Sequence, residues 1–485
     1  MKKLIYIIFI AVTLSSCYKL KTEIFDTINP TVFPKNEADA WSLTASVYDV
    51  FSPYVLFSMG DGYIVGPELV TDDSHCRWGG QWVFYKNLDF RPEQGWITRF
   101  YSNNLPNLSK MTLNIDRISS ITMNQEKKDR YIAEIRCGRG YLYYFLFDLY
   151  GTIPIIPLDV LKNPLGDQIV PRPTNAEMVK YIEDDLLAAR DKLPYKYAKS
   201  EYGRFTKGLA NMVLLKLYMH EKNWAKAEEI GRELMKPEYG YELMPTYKSI
   251  FTLENEGNNE IIYASTANSS KGTTWLTFVL PDGYPLKYPG RLMWGGPKID
   301  WEFFDTFEPT DDRLKSIISE YTSDNGVHYD RNTPGGPLQS GAVPLKYAED
   351  PVIATADMQI DWVVFRYADE LLLLSEAIAN KTGNVTQECL DLLNRVRTRA
   401  NLPVLTSKDC PDLKTFNSKI LLERGHELWY EGCRRSDLIR HGKYVEFMKK
   451  KWNGTLLVKD NYVLWPLPQT AINEGKGIIL QNPGY

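Results

Sequence analysis

Apolar residues recur at spacings of three and four over most of the chain, so the sequence predicts a mainly helical protein. The first such pattern starts at Asn36, where Glu37 and Asp39 put negative charge in the opening turn and Trp41, Ala45 and Tyr48 share a face. Further helices are predicted over Asn103 to Ile121 and Asp129 to Tyr150. In the second, Tyr131, Ile135, Leu142, Phe145 and Leu149 form the apolar stripe, and Gly151 with Pro154 ends it. Within that stripe the run Cys137, Gly138, Arg139, Gly140 carries two glycines, each costing about 1 kcal/mol relative to alanine, which predicts another backbone crossing closely there. Thr174 to Leu193 opens with Thr174 and Glu177 in capping-box spacing and buries Val179, Ile182, Leu186 and Ala189. Thr206 to Glu221 with Trp224 to Met235, and Tyr367 to Asn380 with Gln387 to Ala400, read as helix–turn–helix pairs. They look like degenerate tetratricopeptide units without a fixed period, and predict a right-handed superhelical scaffold.

Two stretches break the helical period. Gly60 to Gln94 reads as loop or short strand, and a long insert at about 255–360 opens on a short strand, Ile261 to Ala264, before becoming rich in Gly and Pro. A long irregular insert in a compact domain is usually functional. Sugars present apolar C–H faces and hydroxyl edges, so their sites combine aromatic platforms with planar hydrogen-bonding groups. The first stretch supplies Arg77, Trp78, Trp82, Tyr85 and Asn87; the second supplies Trp275, Asp282, Tyr284, Tyr288, Arg291 and Trp294. Any one of these aromatics alone reads as filler for a loop core short of aliphatics. As two groups, they are candidate ligand-binding residues.

The densest charge lies in Leu422 to Arg440. If this stretch is helical, Glu423, Glu427 and Glu431 form one ridge, and Gly432 is a natural stop. Three like charges on a ridge need cations, and the nearest are Arg424, Arg434, Arg435 and Arg440. Together with Asp437, among Leu422, Leu428, Trp429, Leu438 and Ile439, they predict structural ion pairs at a helix–helix seam. Catalysis is disfavoured. Glycosidase carboxylates flank a cleft from different elements rather than lining one arginine-rich ridge. His426 and Glu427 start a zincin-like pattern, but Tyr430 stands where the second ligand belongs. The five histidines do not cluster, there is no nucleophile elbow or phosphate-binding glycine loop, and no metal or cofactor is expected.

At the N-terminus, Lys2 and Lys3 precede an apolar run, Leu4 to Leu14, too short to span a membrane, and Ser15, Ser16, Cys17 follow in a lipobox pattern. This predicts a signal peptide at 1–16, lipidation of Cys17, and a polar tether over 17–35 interrupted by Pro30 and Pro34. Removal of Lys2 and Lys3 takes the formal net charge from −4 to −6, which weighs against nucleic acid as a partner. The remaining cysteines, Cys76, Cys137, Cys389, Cys410 and Cys433, show no metal spacing; one disulfide is possible, though buried free thiols fit better.

Five segments in the C-terminal quarter carry a resemblance: Arg366 to Asp369 with Leu371 to Ala377, Asn394 to Ala400, Glu423 to Arg440, Trp465 to Pro468, and Gln481 to Tyr485. In that order they resemble the SusD/RagB nutrient-binding lipoproteins of Bacteroidetes bacteria, and the likeness recurs over about Arg130 to Glu233. The resemblance implies a tetratricopeptide-like scaffold with few short strands, forming a single domain over 36–485. Its helices would lie at about 36–59, 100–250 and 361–450, and its ligand-binding loops at about 60–99 and 255–360. It implies an oligosaccharide-binding lipoprotein of the outer membrane, facing the cell exterior, that acts as the lid of a SusC-like TonB-dependent β-barrel transporter. Tyr18, Lys19, Leu20 and Lys21 depart from the acidic patch the family often carries after the lipidated cysteine. Peptide capture, as on the RagB side of the family, and an envelope scaffold using the helical surface are the alternatives.

Overall fold

The computed structural model describes residues 33–53, 62–163, 165–268, 272–288, 290–351 and 358–485. Cys17, the signal segment and most of the tether lie outside the described residues. Among the described residues no helix is long and apolar enough to cross a membrane.

The protein is mainly α-helical. Its main helices are α1 (Glu37–Val50), α2 (Gly95–Ser119), α3 (Gln125–Tyr150), α4 (Asn175–Lys192), α5 (Lys207–His220), α6 (Trp224–Leu234), α7 (Tyr367–Thr382), α8 (Gln387–Arg399), α9 (Leu413–Leu428), α10 (Arg434–Arg440) and α11 (Tyr444–Gly454). From α2 to α8, each helix packs on the next. Local chemistry sets several of the boundaries. Thr174 and Glu177 form a full capping box on α4, while Asn36, Thr206, Thr386 and Asp412 cap α1, α5, α8 and α9 with side-chain oxygens. α2 begins at Gly95, earlier than its apolar spacing predicts, with Trp96, Ile97 and Phe100 buried in its extra turns.

Packing adds to one sequence expectation and corrects another. The buried face of α1 is Ala40, Leu43, Thr44, Val47 and Val50, so Trp41 lies on the outer side, against Tyr131 and beneath the Arg204 guanidinium, 4.6 Å from its ring centre. At Gly138 an added Cβ would meet Val47, Phe205 and Phe51, and at Gly140 it would come within 2.9 Å of Leu186 Cγ. Side chains of neighbouring elements, not a crossing backbone, therefore require these glycines. Between them, Arg139 forks onto both oxygens of Asp185 on α4 at 2.7 and 2.8 Å.

The insert leaves and rejoins the scaffold through one antiparallel pair, β2 (Ile261–Ser265) with β8 (Trp362–Arg366), in which Ile261 faces Arg366. Within the excursion, β3 (Pro297–Ile299) pairs with β1 (Ser74–Cys76) from the first loop stretch. The two-residue strands β4 (Ile317–Ile318) with β7 (Val343–Pro344), and β5 (Tyr321–Thr322) with β6 (His328–Tyr329), are also antiparallel. The first loop stretch also holds a short helix, Trp82–Lys86, that its sequence pattern did not indicate.

The charge-dense seam is buried, but its pairing differs from the expectation. α9 ends at Leu428; Tyr430 and Gly432 adopt left-handed conformations, φ +56° and +74°, so Glu431 lies in the turn beyond the helix and not on its ridge. The cations that meet the three glutamates come from elsewhere in the chain. Arg313, fully buried, bonds Glu423 at 2.7 Å and Glu427 at 3.2 Å, and Arg397 reaches Glu423 at 2.7 Å. Arg366 joins Glu260, Glu427 and Glu431; Arg399 joins Glu260 and Glu427; Lys346 joins Glu431. The neighbouring arginines serve other acids: Arg424 takes Asp369 and Asp437, Arg434 takes Asp72, Arg435 takes Asp148, and Arg440 takes Glu376 and Asp437. Residues adjacent on a helix point about 100° apart, so Arg424 cannot serve Glu423.

This seam fixes how stability responds to acid. Burial alone would raise the Glu427 carboxyl, but Arg399, Arg366 and Arg313 outweigh it and hold it at about 2, below its ordinary 4.5. Glu376 and Asp437 are likewise held low against burial, chiefly by Arg440 and Arg424. Unfolded chains therefore bind more protons than the fold below 4.5, and these contributions are lost as pH falls toward 2. Burial pushes Asp73 up to about 6 and Asp361 to about 7, which acts the other way between those values and the ordinary carboxylate range. Buried His426 and His75, held below the ordinary imidazole range, oppose that gain, so the expected urea midpoint stays nearly level from pH 7 to about 5 and drops steeply below 4.5; a profile rising continuously to pH 3 would contradict it.

Candidate functional site

The β1–β3 pair brings the two loop stretches together. From its end, the Arg77 N–H donates to Gly296 O at 3.0 Å and the Arg77 guanidinium to Gly295 O. The Trp78 indole N–H donates to Trp294 O at 3.0 Å. A short helix, Trp275–Val279, clamps the same segment: Trp294 N–H donates to Thr277 O at 2.8 Å and Gly296 N–H to Phe278 O at 2.7 Å. Gly296 admits the Trp78 ring because a Cβ there would overlap the indole. The turn at Gly295, φ +57°, likewise favours glycine.

Around Phe278 the rings then cluster. Trp78 lies 5.2 Å from Trp82, 5.2 Å from Phe278 and 6.2 Å from Trp294, and Phe278 lies 5.5 Å from Trp294. Trp78 and Trp82 are half-buried, while Trp294 is 43% and Leu292 52% exposed. Exposed Arg77 and Gln81 sit beside them, Arg99 donates to Gln81 at 3.0 Å, and Asn87 is exposed at the end of the Trp82–Lys86 helix. The result is a surface of ring faces edged by planar polar groups, supported from beneath by Phe278. Its composition suits stacking on a flat, hydroxyl-bearing molecule.

Other candidate residues fall elsewhere. Trp275 is fully buried, 5.4 Å from Trp362 and 5.0 Å from Tyr430, and Tyr85 is buried against Trp96 at 4.5 Å. Both are core residues, not platforms. Arg291 is buried beside Asp350, at 3.5 Å, and offers no surface fork. Tyr284 lies tilted against Tyr321 at 5.5 Å, and Tyr321 OH donates to the Asp282 carbonyl at 3.3 Å, so this pair borders the β5–β6 hairpin. Tyr288 is half-buried under the Lys287 ammonium, 5.0 Å from its ring centre. The supporting role of Phe278 and the exposure of Leu292 had no signal in the sequence, since each depends on which loop meets which.

Among the described residues no group of three or more His, Cys, Asp or Glu could hold a metal ion, and the five described cysteines are buried and unpaired. His426 is not catalytically poised. Burial, with Arg313 and Arg434 nearby, holds its imidazole well below the ordinary range, and its Nε2 lies 2.8 Å from Thr306 Oγ1.

Behind the cluster, Lys298 is fully buried and its ammonium nitrogen has no hydrogen-bond partner. Burial, and then Arg77, lowers it from 10.5 to about 7. Unfolded chains bind more protons between these values, so wild-type stability rises with pH through that window. Lys298→Met is expected to raise the melting temperature at pH 7, with the advantage gone above about pH 10.5; an equal advantage at both pH values would contradict this.

Residues 308–485 match a family model described as "SusD family", and residues 68–219 match one described as "Starch-binding associating with outer membrane". Among curated proteins, the chain is 25% identical to SusD-like protein P38 of Formosa agariphila, over 70% of this chain and 71% of that one. It is 23% identical to the starch-binding protein SusD of Bacteroides thetaiotaomicron, over 76% and 75%. The fold superposes on surface glycan-binding protein A of Bacteroides thetaiotaomicron, solved in complex with laminarihexaose, with a TM-score of 0.76 and 20% identity over 92% of this chain and 99% of that chain.

Proposed function

Because the chain belongs to the SusD/RagB family, we propose that it captures oligosaccharides at the outer membrane and passes them to a SusC-like TonB-dependent β-barrel transporter. The observation that carries the ligand class is the convergence of Trp78, Trp82 and Trp294 from two separate loop stretches on one surface, edged by Arg77. Relatives named for starch and a structural neighbour solved with laminarihexaose support the same class. Lipid on Cys17 tethers the chain, on the exterior side, so that ligand held at the loops stays at high local concentration over the barrel mouth. Binding and release suffice for this role, and no chemistry on the sugar is invoked.

The test is in cells. The chain, expressed in cells that carry SusC-like barrels, is expected to co-purify with one of them from detergent extracts and to hold fluorescently labelled oligosaccharide at the cell surface. Recovery without any barrel, with label uptake unchanged on deletion of the chain, would overturn the delivery role.

A further inference from the structure

At the opposite end of the β1–β3 pair lies a separate cavity of about 640 Å³, within the range of small-molecule sites. Trp301, Phe303, Leu421, Leu422, Phe447 and Trp452 form its walls, drawn from the insert, α9 and α11. Both indoles are held in place. Trp301 donates its N–H to Leu338 O at 2.9 Å, and its outer face is covered by the Arg331 guanidinium, 4.0 Å from the ring centre. Trp452 sits in a left-handed conformation, φ +53° and ψ +40°, followed by Asn453 at φ +56°. That region is strongly disfavoured for so bulky a side chain, and such outliers collect at ligand sites. The turn sets the indole against the His75 ring at 4.9 Å and under the Lys86 ammonium at 4.6 Å, with no hydrogen-bond partner for its Nε1.

Apart from Glu302, which is exposed, the charges that line the cavity are already satisfied. Arg434 forks onto both oxygens of Asp72 at 2.8 Å and bonds Leu421 O at 2.9 Å; Lys451 pairs with Asp300 at 2.8 Å; Lys443 and Lys450 share Glu446 at 2.6 and 2.8 Å. A charged ligand would have to compete with these pairs, whereas a neutral one leaves them intact. Ser340, Gln339 and Ser418 stand exposed at the mouth as uncharged hydrogen-bonding groups.

We propose that this cavity is a second binding site, for an uncharged oligosaccharide that enters between the Trp301 and Trp452 rings. The inference rests on the proposed function for its ligand class and on the cavity's own walls for its place. It gives the protein two contacts with one glycan chain, or with two chains, at the two ends of a single β-ribbon.

The full-length chain in detergent, titrated calorimetrically with laminarihexaose, maltoheptaose and cellohexaose, tests it. Two sites are expected for at least one probe. Trp78→Ala with Trp294→Ala should leave the cavity site alone, and Trp301→Ala should leave the loop site alone. Ser418→Trp, at an exposed rim position, should block the cavity without touching the core, so loss of the second site there cannot be ascribed to misfolding. A single site removed by the Trp78 and Trp294 changes and untouched by Ser418→Trp would overturn the cavity site while leaving the proposed function standing. A single site removed only by Ser418→Trp would support the cavity and overturn the loop cluster as the site. No heat with any probe would overturn the ligand class for both.

Discussion

Arg366→Ala is expected to cost about 3–5 kcal/mol of stability, the range for breaking a buried, hydrogen-bonded ion pair from one side. Arg366 is fully buried at the end of β8, where its Nε and Nη2 hold Glu431 at 2.7 and 2.8 Å, its Nη1 meets Glu260 at 2.9 Å and also Glu427, and its Nη2 reaches Glu427 O at 2.7 Å. Removing it leaves three buried carboxylates short of positive charge, at the point where the insert rejoins the scaffold and α9 ends. The exposed pair Lys180 with Asp184, at 2.8 Å, is the internal contrast, because solvent screens it and its loss should leave the midpoint nearly unchanged. Urea denaturation at pH 7 compares the two directly. Equal midpoints for Arg366→Ala and Lys180→Ala would show that the seam contributes far less than its geometry demands. Arg366→Lys should recover only part of the loss, since an ammonium cannot fork onto several acids at once.

The second large effect is on ligand. Trp294→Ala should weaken oligosaccharide binding by about 2 kcal/mol, roughly thirtyfold in Kd, as expected when an exposed aromatic anchor is truncated. Stability should change by only about 1 kcal/mol, because the residue is 43% exposed and its ring meets only the rims of Trp78 and Phe278. Trp275→Ala supplies the opposite pattern. Its ring is fully buried between Trp362 and Tyr430, so truncation opens a core cavity and should cost about 3–5 kcal/mol of stability. If instead Trp294→Ala lowered the melting temperature as Trp275→Ala does, the exposed ring would be a packing residue. Calorimetry and thermal melts on the same samples separate the two effects.

These two tryptophans also show where reading the sequence stops. Both sit in the same glycine- and proline-rich insert, and residue type alone does not tell the one that fills the core from the one that faces solvent. The difference is made by partners far away in the chain, Trp362 and Tyr430 for Trp275, and Trp78 for Trp294. Interactions within a few residues were legible: the Thr174–Glu177 capping box, the paired helices α5 with α6 and α7 with α8, and the short strand opening the insert. So was the presence of a charged seam around Glu423 and Glu427. Its wiring was not, because the cations that meet those acids, Arg313, Arg366, Arg397 and Arg399, are recruited by tertiary contact, while the arginines adjacent in sequence point away. The candidate site divides in the same way. Residue chemistry marked both loop stretches, and only the β1–β3 pairing reveals that Arg77, Trp78, Trp82 and Trp294 share one surface while Tyr85, Trp275 and Arg291 are buried elsewhere.

The measurement that tests the central claim most directly is calorimetric titration of the full-length chain against a panel of plant, host and microbial oligosaccharides and mixed peptides, run in parallel on the Trp78→Ala, Trp294→Ala double variant. The predicted result is saturable binding of one glycan class by the native chain, with the loop contribution lost in the folded variant. Saturable binding of peptides alone, or glycan binding identical in the two proteins, would contradict it.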